Sequence, residues 1–363
     1  MDRRSFLART AAFPLASALP SLALAQERSF APAPGTWRTF EVITRLEIAD
    51  AGPGTQAWVP VPAIDTPWQR SLESRWSGNL NGGALWGDGA ARMVHATWAD
   101  GERTPVVEVA SRIQAQDRRH DWSTPAGTLA APADLASYLK ATELMPIDGI
   151  VRATAERITA GQATDEGKVR ALFEWVVDNT YREPKVRGCG VGDIKAMLET
   201  GNMGGKCGDI NALFVGLARS VGVPARDIYG IRVAKSAFGY RELGAGSPDI
   251  SKAQHCRAEV WLAGRGWVAM DPADVGKVMR LETGEWLRDT RHPVVAPVYR
   301  ALYGGWEGNW MGYNVAHDVA LPGSRGAKLG FFMYPQAETR GERVDSLDPD
   351  TFKYRITARE ISA

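Results

Sequence analysis

Cys207 lies in the stretch GGKCGDINALF, directly after a glycine pair and a lysine and directly before a run with helical spacing. A thiol at the first turn of a helix meets unpaired backbone N–H groups and the positive end of the helix dipole. Both stabilise an anion, whether a thiolate or a tetrahedral oxyanion. Gly204 and Gly205 permit a backbone turn that a side chain would block and clear space for a substrate, and Lys206 adds positive charge. Asp209 in the first turn opposes a lowered thiol pKa but suits the helix. A cysteine nucleophile needs a base, and the base needs an orienting group. Of the five histidines, His255 sits on a strand candidate just downstream of the Cys207 helix. If the hairpin loop is the odd-length Ala263-Gly264-Arg265, Asp271 faces Arg257 and lies diagonal to His255, at roughly 7–8 Å between Cα atoms. An even loop would place Asp274 opposite His255 instead, so Asp274 is the reserve orienter. His317, followed by Asp318, is the rival base; His95 and His120 belong to the front half of the chain.

Two other chemistries are excluded on spacing. GNMGGKC is one residue short of a phosphate loop and has cysteine where serine or threonine should bind magnesium. Cys207, His255, Cys256 and Asp271 are legitimate metal ligands, but they lack CxxC or HxxxH pairing, and adjacent strand residues point to opposite faces. We therefore expect no metal and no cofactor.

The elements that must position these residues are legible in outline. Ile210, Leu213, Phe214, Leu217, Ala218 and Val221 form one apolar helical stripe, ended by Gly222 and Pro224. Apolar residues recur at helical spacing between Ile150 and Val176, with Thr164 as an N-cap. The strand candidates ARDIYGIRVA, HCRAEVWL and GWVAMD follow the Cys207 helix. The fold class is thus α+β, with helices packed on an antiparallel sheet. Residues 26–118 alternate between short strands and turns and are expected to form a small all-β sandwich. A connector over 119–145 leads into the core at 146–275, and 276–363 reads as a loop-rich extension with late strands LGFFMY and TFKYRI. The aromatic stretch YGGWEGNWMGYNVAHD reads as packing.

A formal charge of +1 gives no reason to expect nucleic acid as a partner. The first 25 residues combine Arg3-Arg4, a short uncharged Ala/Leu stretch and Ala23-Leu24-Ala25, and they resemble a twin-arginine signal peptide. Cleavage after Ala25 would remove Arg3, Arg4, Arg9 and Asp2 and move the charge from +1 to −1. The expectation is a bacterial periplasmic or secreted protein with no membrane association after cleavage. Three cysteines in an oxidising compartment leave at least one thiol without an intramolecular partner.

GGKCGDINALFVGLARSVGVPARDIYGIRV followed by HCRAEVWLAGRGWVAMDPADV resembles the bacterial transglutaminase-like superfamily over about residues 146–275. The resemblance implies a papain-like α+β core, with Cys207 as nucleophile, His255 as base and Asp271 as orienter. Arg257 departs from the family pattern, which often has a bulky residue there. For the oxyanion, Asn202 is a candidate side chain and the Cys207 N–H the backbone donor. If His255 faces the site, Cys256 faces away, so a Cys189–Cys256 disulfide with Cys207 free is expected. Nothing in the chain resembles a calcium loop. Two functional readings follow. One is an exported thiol enzyme that cleaves or transfers peptide or protein amides, cell-wall peptide among them, through an acyl-thioester on Cys207. The other is a catalytically silent scaffold that binds a protein or polysaccharide in the periplasm.

Overall fold

The computed structural model describes residues 28–87 and 90–361; the signal-like segment lies outside them. No helix among the described residues is long and apolar enough to cross a membrane.

At the centre is the Cys207 helix, Cys207–Ser220, with all fourteen residues buried. Its apolar stripe accounts for one face only. The helices Gly149–Ile158, Asp165–Asn179 and Pro272–Leu281 also pack on it. Gly208 is enclosed by Cys189, Asn211 by the Cys256 carbonyl and Asp271, and Arg219 by the Ala225 and Lys140 carbonyls. The Asp165–Asn179 helix starts where its sequence indicates, with the Thr164 hydroxyl accepting from the Gly167 N–H at 3.1 Å.

The Cys207 helix packs on a four-stranded antiparallel sheet in the order Gly266–Met270, Gln254–Leu262, Ala225–Arg232, Trp310–Asn314. The first two strands are joined by the three-residue loop Ala263–Arg265, with Leu262 opposite Gly266 and Ala258 opposite Met270. That register, continued by one residue, sets Asp271 against Arg257. The fourth strand comes from the aromatic stretch, and Trp306, Trp310 and Tyr313 are all in the core. Packing is therefore what those aromatics do.

The front half is a β-sandwich, but it does not close by residue 118. One sheet has the order Phe352–Ile361, Arg38–Ile48, Val106–Ala115, Gln69–Gly78. The other runs Glu342–Val344, Gln336–Thr339, Gln56–Val61, Arg92–Thr97, Gly82–Gly87. Three of these nine strands come from the tail, which is thus an integral part of the sandwich. Residues 352–358 alternate between buried Phe352, Ile356 and Ala358 and exposed Lys353 and Arg355. Arg38–Ile48 would otherwise be an open edge on that side. Phe352 packs with Leu46, Val59, Val94 and Val107 between the sheets.

The two halves are joined by buried polar contacts. The Gln69 side-chain amide donates to the Gly312 carbonyl and accepts from the Gly312 N–H, both at 2.8 Å. Glu259, fully buried, is paired with Arg226 at 2.6 Å and with Arg118 at the end of the front half. Because Phe352 is 2 % exposed, Phe352→Ala should cost about 3–5 kcal/mol of stability by urea unfolding. A loss below about 1 kcal/mol would contradict the tail's place in the sandwich core.

Candidate active site

The Cys207 end of the helix is fixed by a carboxylate. Asp209 accepts from the N–H groups of Val191 and Gly192 at 2.8 and 2.9 Å through Oδ1, and from the Lys206 N–H at 2.9 Å through Oδ2. Those three bonds tie the incoming loop to the first turn. They also explain two glycines. A Cβ at Gly205 would lie 2.7 Å from the Asp209 Cβ, and one at Gly190, where φ is +92°, would lie 1.8 Å from Oδ2. The glycine pair therefore makes room for neighbours (Asp209, and Tyr181 beside Gly204) rather than for a substrate. The Gly208 N–H is used by the Cys189 carbonyl at 2.8 Å, whereas the Cys207 N–H has no protein acceptor among the described residues. It is the donor left for an oxyanion.

Cys207 and His255 line a common cavity of about 250 Å³, together with Arg182, Arg232, Lys277 and the 244–246 turn. His255 Nε2 lies 2.8 Å from Asp271 Oδ2 and 3.2 Å from Asp274 Oδ2. The odd loop makes Asp271 the diagonal strand neighbour. Asp274 reaches the same nitrogen by another route, from the first turn of the helix that begins at Pro272. Both carboxylates are buried and shared. Asp274 Oδ1 is bonded to Arg232 at 2.6 Å. Asp271 Oδ1 accepts from the Asp274 N–H at 3.1 Å, and Asn211 Nδ2 lies 3.4 Å away. Arg257 Nε approaches Asp271 Oδ2 only to 3.6 Å, and its guanidinium lies over the Trp306 and Trp310 rings. Asp271 thus sits closer to the imidazole than to Arg257.

These contacts set the protonation states. For His255, burial and the Arg232 cation favour the neutral ring, but the Asp274 and Asp271 carboxylates outweigh them and raise its pKa to about 9. With Nε2 held by the carboxylates, Nδ1 is the nitrogen available to the thiol. Hydrogen bonds from Cys189, Cys256 and then His255 hold the Cys207 thiol well below its ordinary pKa, against burial. Asp274 is held well below the carboxylate range: its burial is outweighed by Arg232 and His255. Burial and the neighbouring Asp274 push Asp271 up.

Not every sequence expectation is met. Asn202 is exposed, its side chain accepts from the Gly204 N–H within its own loop, and it does not line the cavity. It is close to Cys207 in sequence only. The Cys189–Cys256 disulfide is not formed either; all three cysteines are free and buried. Cys256 belongs to the apolar row Cys256, Ala258, Val260 that packs with the Cys207 helix, so alternation puts it under the helix start instead of away from it. The rival His317 contacts Asp227 and Tyr229 and lies outside the cavity.

The sequence reading missed Asn211 and Arg232. Asn211 also donates to the Cys256 carbonyl at 2.8 Å and accepts from the Ala273 N–H at 3.3 Å, so it joins the nucleophile helix to the His255 strand and the Asp271 turn. Asn211 is the one polar side chain in the apolar run Ile210–Leu217, which was the available signal, whereas Arg232 shares its strand with Arg226 and Asp227 and carries no local signal of its own. The ligand atoms of His255, Asp271 and Asp274 lie within 4.8 Å of one another, close enough to share a cation. A dication there would have to break the imidazole–carboxylate bonds and sit beside the Arg232 and Arg257 guanidiniums, so the set does not fit one.

The family model of the transglutaminase-like superfamily matches residues 152–272, from the first core helix through Asp271. An uncharacterized protein of Haemophilus influenzae is 36% identical over 325 residues, covering 85% of this chain and 86% of that protein. The chain belongs to the transglutaminase-like superfamily. Among solved structures, a candidate cysteine protease from Cytophaga hutchinsonii has the same fold at a TM-score of 0.56, with 14% identity, covering 92% of this chain and 94% of that one. The periplasmic domain of TgpA from Pseudomonas aeruginosa is matched at a TM-score of 0.34 and 14% identity, over 76% of this chain and 98% of that domain. Within this transglutaminase-like core, the carboxylates that raise the His255 pKa are testable one at a time. Asp271→Asn and Asp274→Asn should each lower the His255 titration midpoint from about 9, read by NMR of the imidazole nitrogens. A midpoint that stays put in both variants would contradict the arrangement.

Proposed function

We propose that this transglutaminase-like protein is a cysteine-dependent amide hydrolase or acyltransferase that works through an acyl-thioester on Cys207. The observation that carries the reading is that Cys207, at the start of a buried helix, shares a cavity with an imidazole whose Nε2 is held by two carboxylates. In the first step the Cys207 thiolate attacks the amide carbonyl carbon, and the Cys207 N–H receives the developing oxyanion. The C–N bond then breaks as the His255 imidazolium gives its proton to the departing amine. In the second step water, or an acceptor amine, loses a proton to His255 and attacks the thioester, which returns the thiolate. Water gives a free acid and an amine gives a new amide, so both outcomes use one site.

Peptides and proteins are the substrates that match this chemistry, cell-wall peptide among them. Periplasmic or secreted action follows from reading the first 25 residues as a cleaved twin-arginine-type signal.

The test is single-turnover reaction with peptide p-nitroanilides. A burst of nitroaniline should coincide with an acyl adduct on the Cys207 peptide. Cys207→Ala should abolish the burst, and His255→Ala should lower kcat/KM by about 10²–10⁴-fold. The pH profile should rise as the thiolate forms, well below the ordinary thiol range, and fall as His255 loses its proton near pH 9. A correctly folded wild-type protein that forms no adduct on any amide would refute the reading and favour the scaffold.

A further inference from the structure

The thiol cavity opens beside a second one of about 470 Å³, and the two share Arg182, Lys252 and Gln254. Their charge is one-sided. Among the lining groups, Arg232, Arg187, Lys277 and Asp249 already have ionic partners in Asp274, Asp345, Glu242 and Arg355. Arg182, Lys206, Lys252 and Lys353 have no carboxylate within ion-pair distance among the described residues.

Two of the shared residues also present unsatisfied donors. Arg182 Nε is buried without a hydrogen-bond acceptor, and so is Gln254 Nε2, whose neighbour is the Tyr354 hydroxyl. Leaving a buried donor unpaired is costly, so two at one junction point to an acceptor that arrives from outside. Arg182 pairs with Gly205 in a short parallel ladder and lines the second cavity together with Lys206, so two positive groups stand close together beside Cys207. Burial and then the Arg182 cation press the Lys206 ammonium below its ordinary pKa. An anion between them would relieve that repulsion. A guanidinium and a primary amide are both suited to the oxygens of a carboxylate.

We propose that the amide substrate carries a free carboxylate next to the scissile carbonyl, bound at the junction of the two cavities by Arg182, Lys252 and Gln254. This assignment rests on the acyl-thioester reading. It makes the protein selective for anionic peptides, with Lys206 and Lys353 adding long-range attraction. The competing role for these cations, lowering the thiol pKa alone, would act equally on charged and neutral reagents.

That difference supplies the test. Alkylation of Cys207 by anionic iodoacetate and by neutral iodoacetamide is compared by peptide mass mapping; the ratio of rates cancels the thiolate fraction. The ratio should fall about tenfold in Arg182→Gln and again in Lys252→Gln, and it should fall in the wild type as salt is raised. A ratio unchanged in both variants would overturn the proposal. In parallel, matched peptide anilides with a glutamate or a glutamine beside the scissile bond are offered to the wild type and to Arg182→Gln. Preference for the glutamate peptide in the wild type, lost in the variant, supports the anion site; equal turnover of the two peptides overturns it. If no anilide of any charge is turned over, the acyl-thioester reading falls, and the iodoacetate ratio alone decides whether the cavity selects anions.

Discussion

A buried imidazole held between two carboxylates, each of which is shared with a guanidinium, is the constraint around which the core is arranged. His255, Asp271, Asp274, Arg232 and Arg257 are all 3 % exposed or less. Each charge taken from water costs several kcal/mol unless its partners are in place, and removing one partner from such a set costs about 3–5 kcal/mol. The set therefore requires the strand register that brings Asp271 diagonal to His255, the helix start that delivers Asp274, and the strand that supplies Arg232. A one-residue slip in any of them would leave a buried charge unpaired.

The same network accounts for the state of the thiol. The helix start alone offers Cys207 a modest dipole contribution, which Asp209 partly offsets. The larger effects come from neighbours that donate to sulfur: Cys189, Cys256 and the protonated His255. His255 stays protonated only because Asp274 and Asp271 outweigh its burial. Sheet, turn and helix thus act on the thiol through this ring and through the two neighbouring thiols. The sandwich bears on the site through rigidity, since Gln69 and Arg118 lock it to the core sheet near the strands that carry His255 and Trp310.

What could be read from the sequence depended on how local the deciding interaction was. The Thr164 cap and the helix beginning at Cys207 are set by adjacent residues, and the odd Ala263–Arg265 loop, one of two lengths the sequence left open, places Asp271 diagonal to His255. The strand at Phe352–Ile361 was visible only as the shorter candidate TFKYRI, and its partner Arg38–Ile48 is some three hundred residues away, with nothing local to name it. Asn202 illustrates the opposite error, nearness in sequence taken for nearness in space. The thiol cluster was misjudged because strand alternation tells which residues share a face, not which face the helix covers. Asn211 and Arg232 were hidden because their partners are far away in sequence: Asn211 meets the Cys256 carbonyl and Asp271, and Arg232 meets Asp274, contacts that no local pattern names.

The chemistry depends most directly on Cys207 being a thiolate, held by the Cys189 and Cys256 thiols together with the His255 imidazolium. The decisive measurement is the 240 nm thiolate absorbance against pH in the folded protein, with Cys207→Ser as the blank and His255→Ala as the comparison. The Cys207 transition should lie well below the ordinary thiol range of about 8–9 and move upward when His255 is removed. A transition in the ordinary range that is indifferent to His255 would contradict that arrangement.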